Sequence, residues 1–270
     1  MIVYPNAKIN IGLNVLEKQA DGYHKLSSVF YPVNELCDML EILPAKHFSF
    51  SSSGIAIPGD SNICIKAFEL LKADFEIENV TMHLHKQIPI GAGLGGGSAD
   101  GAFALKALNE LFKLELSIIE LENYALQLGT DCPFFIENSP KYITGIGEKM
   151  MNINLDLSPY KLKFIFPELH ISTTEAYEGV IPNRPETNLL DLINQPIENW
   201  KSVVKNDFEI SAFEKYPQLK KIKEKLYADG AIYASMTGSG SVLYGVFFDN
   251  SKFKVCFWTM LKFTLSLIPL

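Results

Sequence analysis

From Asn6 to Val15 apolar and polar residues alternate, with Ile9, Ile11, Leu13 and Val15 on one side and Lys8, Asn10 and Asn14 on the other. A period of two predicts a half-buried strand whose polar face carries Lys8 and Asn10. Asp21-Gly22 is a turn signal, and the turn through Leu26 holds Tyr23 and His24. Further strands are expected over Asp38–Leu43 and over the alternating run Val80, Met82, Leu84, with a polar loop or weak strand at His47–Gly54. Apolar spacing turns helical after Ser98, where Ala102, Phe103, Leu105, Ala107, Leu108, Leu111 and Phe112 share a face. A second helix is predicted over Ser117–Leu128: Ser117 and Glu120 form a capping box, and Gly129 closes it. Asp60-Ser61-Asn62 offers caps for a helix through Leu71.

The texture changes near Met151, which divides the chain into lobes 1–150 and 151–270. Leu162–Phe166 reads as a strand, and His170–Tyr177 leads into a short helix. Asn188–Ile193 and Trp200–Ile210 read as helical, and Pro217–Leu226 presents Lys220, Lys221, Lys223 and Lys225 on a solvated face. Strands Ile232–Met236 and Val242–Phe248 flank Thr237-Gly238-Ser239-Gly240-Ser241. Strands and helices interspersed in this way give an α/β (α+β) chain.

One stretch fits neither period: Pro89-Ile90-Gly91-Ala92-Gly93-Leu94-Gly95-Gly96-Gly97-Ser98-Ala99. Five glycines in seven residues oppose regular structure, but they permit positive φ and close approach of backbone N–H groups to a ligand. A glycine loop that feeds a helix N-terminus is an anion site, most often for phosphate. Gly91 to Gly96 spells G-x-G-x-x-G, yet Pro89 interrupts the approach and another helix, not a strand, follows. No Gly-Lys-Ser/Thr follows either, and no Val-Ala-x-Lys strand lies downstream.

Bulk properties narrow the partners. A net charge of −7 over 270 residues opposes nucleic-acid or anionic-membrane binding. Cys37, Cys64, Cys132 and Cys256 lack metal-ligand spacing, so reduced cytosolic thiols are expected. His83 and His85 share a strand face without a third ligand, and exposed strand positions are the simpler reading. Met1–Pro5 has no basic, apolar leader pattern. Val255–Leu270 is apolar, but it is short for a membrane span and Lys262 interrupts it. Soluble and cytoplasmic is the expectation.

The loop Pro-x-x-x-Gly-Leu-Gly-Gly-Gly-Ser-Ala resembles the ATP loop of the GHMP kinases, small-molecule kinases named for galactose, homoserine, mevalonate and phosphomevalonate. Its triple glycine, together with Lys8, Asn10 and Asp21-Gly22-Tyr23-His24, is similar to the 4-diphosphocytidyl-2-C-methyl-D-erythritol kinase branch. The resemblance runs through four ordered motifs to about Phe248, after which the tail is more apolar than that branch. It implies a two-lobed GHMP fold, with an N-terminal ATP-binding lobe like ribosomal S5 domain 2 and a ferredoxin-like C-terminal lobe. It implies ATP-dependent phosphorylation of the 2-hydroxyl of that cytidine diphosphate conjugate, on the non-mevalonate route to isoprenoids, by a monomer or weak homodimer.

Residue roles follow from the same resemblance. Pro89 to Ala99 would bind ATP, with Asn62 near the ribose and Lys86 near the adenine pocket. Ser98 would meet Mg²⁺. Asp131, in Gly129-Thr130-Asp131-Cys132-Pro133, would be the general base and Lys8 its partner. Asn10, Tyr23, His24, Tyr177, Gly238 and Ser239 would bind the acceptor, with Tyr177 stacking on cytosine. The residues alone leave plainer readings open: a helix cap for Asn62, a turn aspartate for Asp131, core packing for Tyr177 and a tight hairpin for Gly238-Ser239.

Overall fold

A computed structural model describes residues 1–59 and 62–249. The predicted caps Asp60 and Ser61, and the apolar tail Val255–Leu270 with Cys256, lie outside the described residues. The first lobe runs β1 (Ile2–Val3), β2 (Asn6–Lys18), β3 (His24–Cys37), β4 (Met39–Pro44), β5 (Ser49–Gly54), α1 (Ile63–Asp74), β6 (Val80–Lys86), α2 (Gly96–Phe112), α3 (Ile118–Leu128), α4 (Phe134–Glu137), β7 (Lys141–Thr144) and β8 (Lys149–Asn152). The second runs β9 (Tyr160–Ile165), α5 (Thr173–Glu178), α6 (Leu189–Ile193), α7 (Ile197–Val203), α8 (Phe208–Lys215), α9 (Pro217–Ala228), β10 (Tyr233–Met236) and β11 (Leu243–Phe248).

Two four-stranded sheets, ordered β1-β4-β6-β5 and β2-β3-β7-β8, build the first lobe, and β10-β11-β9 builds the second. Because β8 runs to Asn152, the first lobe's second sheet ends just past residue 150. Helices α1, α2, α3 and α4 pack on β4 and β6 around Leu40, Ile42, Met82, Leu84, Leu105 and Phe134. A second core crosses the lobes, where Ile9 and Ile11 of β2 meet Tyr233, Tyr244 and Trp200. The Tyr244 hydroxyl donates to the Asn10 carbonyl at 2.8 Å.

Four predicted features differ in the structure. Lys8 and Asn10 are buried, at 4% and 2% exposure, because the polar face of β2 is covered by the glycine loop and the second lobe. The Asp21 turn is shorter than expected, and His24 to Leu26 already belong to β3, a 14-residue strand. Its pairing with β2 shifts register at three places. The expected helix Trp200–Ile210 is two helices, since Asn206 between them bridges to Leu13 in parallel register. His83 and His85 are half-buried rather than exposed, and Ser53 Oγ lies 2.9 Å from His83 Nε2 and from His85 Nδ1.

Candidate active site

The glycine loop leaves β6 and enters α2, and two of its glycines belong to the helix. Gly96 and Gly97 form the first turn of α2 after Gly95, which caps it in the left-handed region at φ 68°. First-turn N–H groups have no intrahelical partner, so glycine there leaves donors open at little helical cost. No side chain caps this end, and a Cβ added to Gly97 would meet nothing within 4 Å, so the turn faces open space. Gly93 has the opposite constraint. At φ 78°, a Cβ there would collide with the Thr237 carbonyl, so glycine lets the loop lie against the second lobe.

That space is a cleft of about 770 Å³ between the lobes, bordered by the glycine loop, Lys8, Asn10, Asn62, Ser98, Asp131, Tyr177, Gly238 and Ser239. Facing the loop, Lys8 Nζ lies 2.5 Å from Asn10 Oδ1, 3.5 Å from Asp131 Oδ2 and 4.1 Å from the centre of the Phe30 ring. The Lys8 amide donates to the Leu94 carbonyl at 2.9 Å, which ties β2 to the loop. Burial lowers the Lys8 pKa, and the nearby Asp131 carboxylate offsets part of that fall. Asp131 sits in the turn between α3 and α4 with a side chain one-third exposed, so it is open to the cleft. Its neighbour Cys132 is buried, and desolvation pushes its thiol up to about 12, which disqualifies it as a nucleophile.

Asn10 is fully engaged: its amide N–H donates to Thr237 Oγ1 at 3.0 Å and its side-chain Nδ2 to Ser28 Oγ at 2.8 Å. Thr237 Oγ1 donates in turn to the Gly93 carbonyl at 2.9 Å. One hydroxyl therefore joins β2, the glycine loop and the turn of the second lobe. The flanking pair Gly238-Ser239 lines the cleft, and Asn206 Nδ2 holds the turn by donating to the Met236 and Gly238 carbonyls at 2.8 and 2.9 Å.

The remaining predicted residues divide. Tyr177 lines the cleft and also packs, edge to face with Phe208 and stacked on His24. Tyr23 is 60% exposed and is not among the lining residues. Asn62 both lines the cleft and caps α1, accepting from the Cys64 amide at 2.8 Å. Lys86 borders the cleft, but its ammonium is buried between Asp38 and Asp100. Those two aspartates were not anticipated, although a charged residue at position 100 of an apolar helix was a signal. Among the described residues no group of three or more His, Cys, Asp or Glu side chains could hold a metal.

Segments of both lobes match known family models. Residues 62–138 match the GHMP kinases N terminal domain, and residues 186–254 match the GHMP kinases C terminal domain. The chain belongs to the GHMP kinase family. Within the family it is 49% identical, over 92% of its length and 93% of the relative's, to a 4-diphosphocytidyl-2-C-methyl-D-erythritol kinase of Azobacteroides pseudotrichonymphae. A protein of that name from Bacteroides fragilis is 45% identical over 97% of this chain and all of its own. A crystal structure of 4-(cytidine 5'-diphospho)-2C-methyl-D-erythritol kinase superposes with a TM-score of 0.78 at 32% identity, covering 91% of this chain and 90% of its own. A mevalonate kinase, at 14% identity and a TM-score of 0.65 over 92% of this chain and 91% of its own, shares the fold. As a GHMP kinase the chain uses ATP. Among the described residues no helix is long and apolar enough to cross a membrane.

Proposed function

We propose that this GHMP kinase transfers the γ-phosphoryl group of ATP to the 2-hydroxyl of 4-diphosphocytidyl-2-C-methyl-D-erythritol, acting in the cytoplasm. The observation that carries the reading is the pairing of Lys8 with Asp131 in the cleft, with Lys8 packed against Gly95 at the start of α2. Phosphoryl transfer needs positioning, charge neutralisation and a destination for the hydroxyl proton. The free amides of the loop and the α2 dipole hold phosphate oxygens. Asp131 accepts the proton of the attacking hydroxyl, and Lys8 fixes the carboxylate and stabilises charge on the transferring group.

Mg²⁺ would come with the nucleotide and neutralise triphosphate charge. The donors nearby suit a hard cation held largely by phosphate and water: the Ser98 hydroxyl borders the loop, with no carboxylate cluster among the described residues. The names of the relatives above support the acceptor, and Tyr177, which lines the cleft, offers aromatic surface for a pyrimidine. A coupled assay with ATP and the cytidine conjugate, run beside mevalonate and homoserine, tests the reading. Turnover confined to the conjugate is expected, and preference for mevalonate or homoserine would overturn it.

A further inference from the structure

Beneath the glycine loop lies a charge cluster that the transfer chemistry does not use. Lys86, at the end of β6, is 3% exposed, and its ammonium donates to Asp38 Oδ2 and, at 2.7 Å, to Asp100 Oδ2. Asp38, fully buried between β3 and β4, also accepts from the amides of Gln87 and Ile88 at 2.6 and 2.8 Å. Asp100, in the second turn of α2, is 2% exposed, and its other oxygen has no partner. Burying one ammonium with two aspartate side chains is an expensive way to join elements that apolar side chains could join. The position of the cluster gives the reason for keeping it.

The loop is suspended between Ile88 and Gly96. The first end is pinned by the Ile88 amide on Asp38. At the second end, a Cβ on Gly96 would come within 3.0 Å of Lys86 Nζ, so the ammonium fits directly under the first turn of α2. The same ammonium holds α2 one turn later through Asp100. We propose that Asp38, Lys86 and Asp100 are positioning residues that fix both ends of the glycine loop, so that its amides converge on nucleotide phosphate. Lys86 acts through the loop and is not itself a nucleotide ligand, because its ammonium already donates to two aspartate side chains.

Two roles for Lys86 give opposite expectations. If Lys86 were a phosphate or adenine ligand, removing a competing carboxylate would free it and leave ATP affinity equal or tighter. If it positions the loop, the same change loosens ATP. The inference rests on the proposed function only in taking ATP as the nucleotide, and titration calorimetry with ATP needs no acceptor. In Asp100→Ala, ATP and inorganic triphosphate should both bind about tenfold more weakly, and KM for ATP should rise while KM for the acceptor stays within twofold. Asp100→Asn should restore most of the affinity, since its amide oxygen can still accept from Lys86. Should Asp100→Ala not fold, Asp38→Asn carries the same expectation, because it turns an NH₂ toward the ammonium or toward two amides. Equal or tighter ATP binding in these variants, or a rise in both KM values together, overturns the inference. A parent protein that binds no ATP would instead remove the kinase reading beneath it.

Discussion

His24 lies flat against Tyr177, with ring centroids 4.7 Å apart and planes 25° from parallel. The contact joins the start of β3 to α5, so Tyr177, which lines the cleft, is backed by a residue of the first lobe. Burial lowers the His24 pKa, and the charge of Lys18 adds to the fall, so the ring is neutral at physiological pH and suited to stacking. Phe208 also meets Tyr177 edge-on, with ring centroids 4.9 Å apart, which helps fix its orientation.

The first prediction concerns Tyr177. A base stacked on an aromatic side chain is worth roughly 1–3 kcal/mol. Tyr177→Ala should therefore raise KM for the cytidine conjugate about ten- to hundredfold and leave KM for ATP unchanged. Steady-state kinetics with each substrate varied in turn measures this. A defect confined to ATP would place Tyr177 on the wrong side of the cleft.

Asp131→Asn keeps the shape of the turn and removes the proton acceptor. Turnover should fall about 10²–10⁴-fold, the usual scale of base catalysis, with little change in either KM. The Lys8 pKa, already lowered by burial, should fall further, because Asp131 is the partner that raises it. Retention of turnover within a few-fold would leave Asp131 as a turn residue only.

Much of this site was legible because it depends on short, local patterns. Glycines before a helix signal an anion site whatever surrounds them, and the capping box at Ser117 and Glu120 formed as the spacing predicts. Long-range placement was not legible. From the alternation alone Lys8 and Asn10 fall on the polar face of a half-buried strand, because nothing local to β2 announces the loop and Thr237 that cover them. Asp38 and Asp100 are separated by 62 positions and are brought together around Lys86. Strand β3 escaped notice because Leu26 to Phe30 are buried in succession, so no polar and apolar alternation marks it.

The third prediction tests the loop. Gly95 sits at φ 68°, and a Cβ there would lie 3.0 Å from Lys8 Cγ and 3.1 Å from Phe135 Cζ. A branched residue is strained in that conformation by about 1–2 kcal/mol and would also push Lys8 off its seat. Gly95→Val should lose measurable ATP binding and turnover and melt a few degrees lower. Near-parent ATP affinity in a folded Gly95→Val protein would refute the phosphate-loop assignment.

The last prediction is a pH signature of the buried cluster. Desolvation, with the Asp38 charge adding to it, pushes Asp100 up to about 8 although Lys86 opposes the shift, whereas the unfolded chain titrates near the ordinary 3.8. Between those values the folded protein holds a proton that the unfolded chain has released. Stability from Asp100 is therefore fully present at low pH and is lost as pH rises toward 8. Asparagine cannot ionise, so Asp100→Asn lacks this loss. The melting temperature of Asp100→Asn relative to the parent should climb steadily from about pH 5 to pH 8 and level off above that. The slope has this sign only if Asp100 is protonated in the folded protein at neutral pH. Parallel stability curves across that range, or a difference that shrinks with pH, would mean that Asp100 is ionised beside Lys86 throughout.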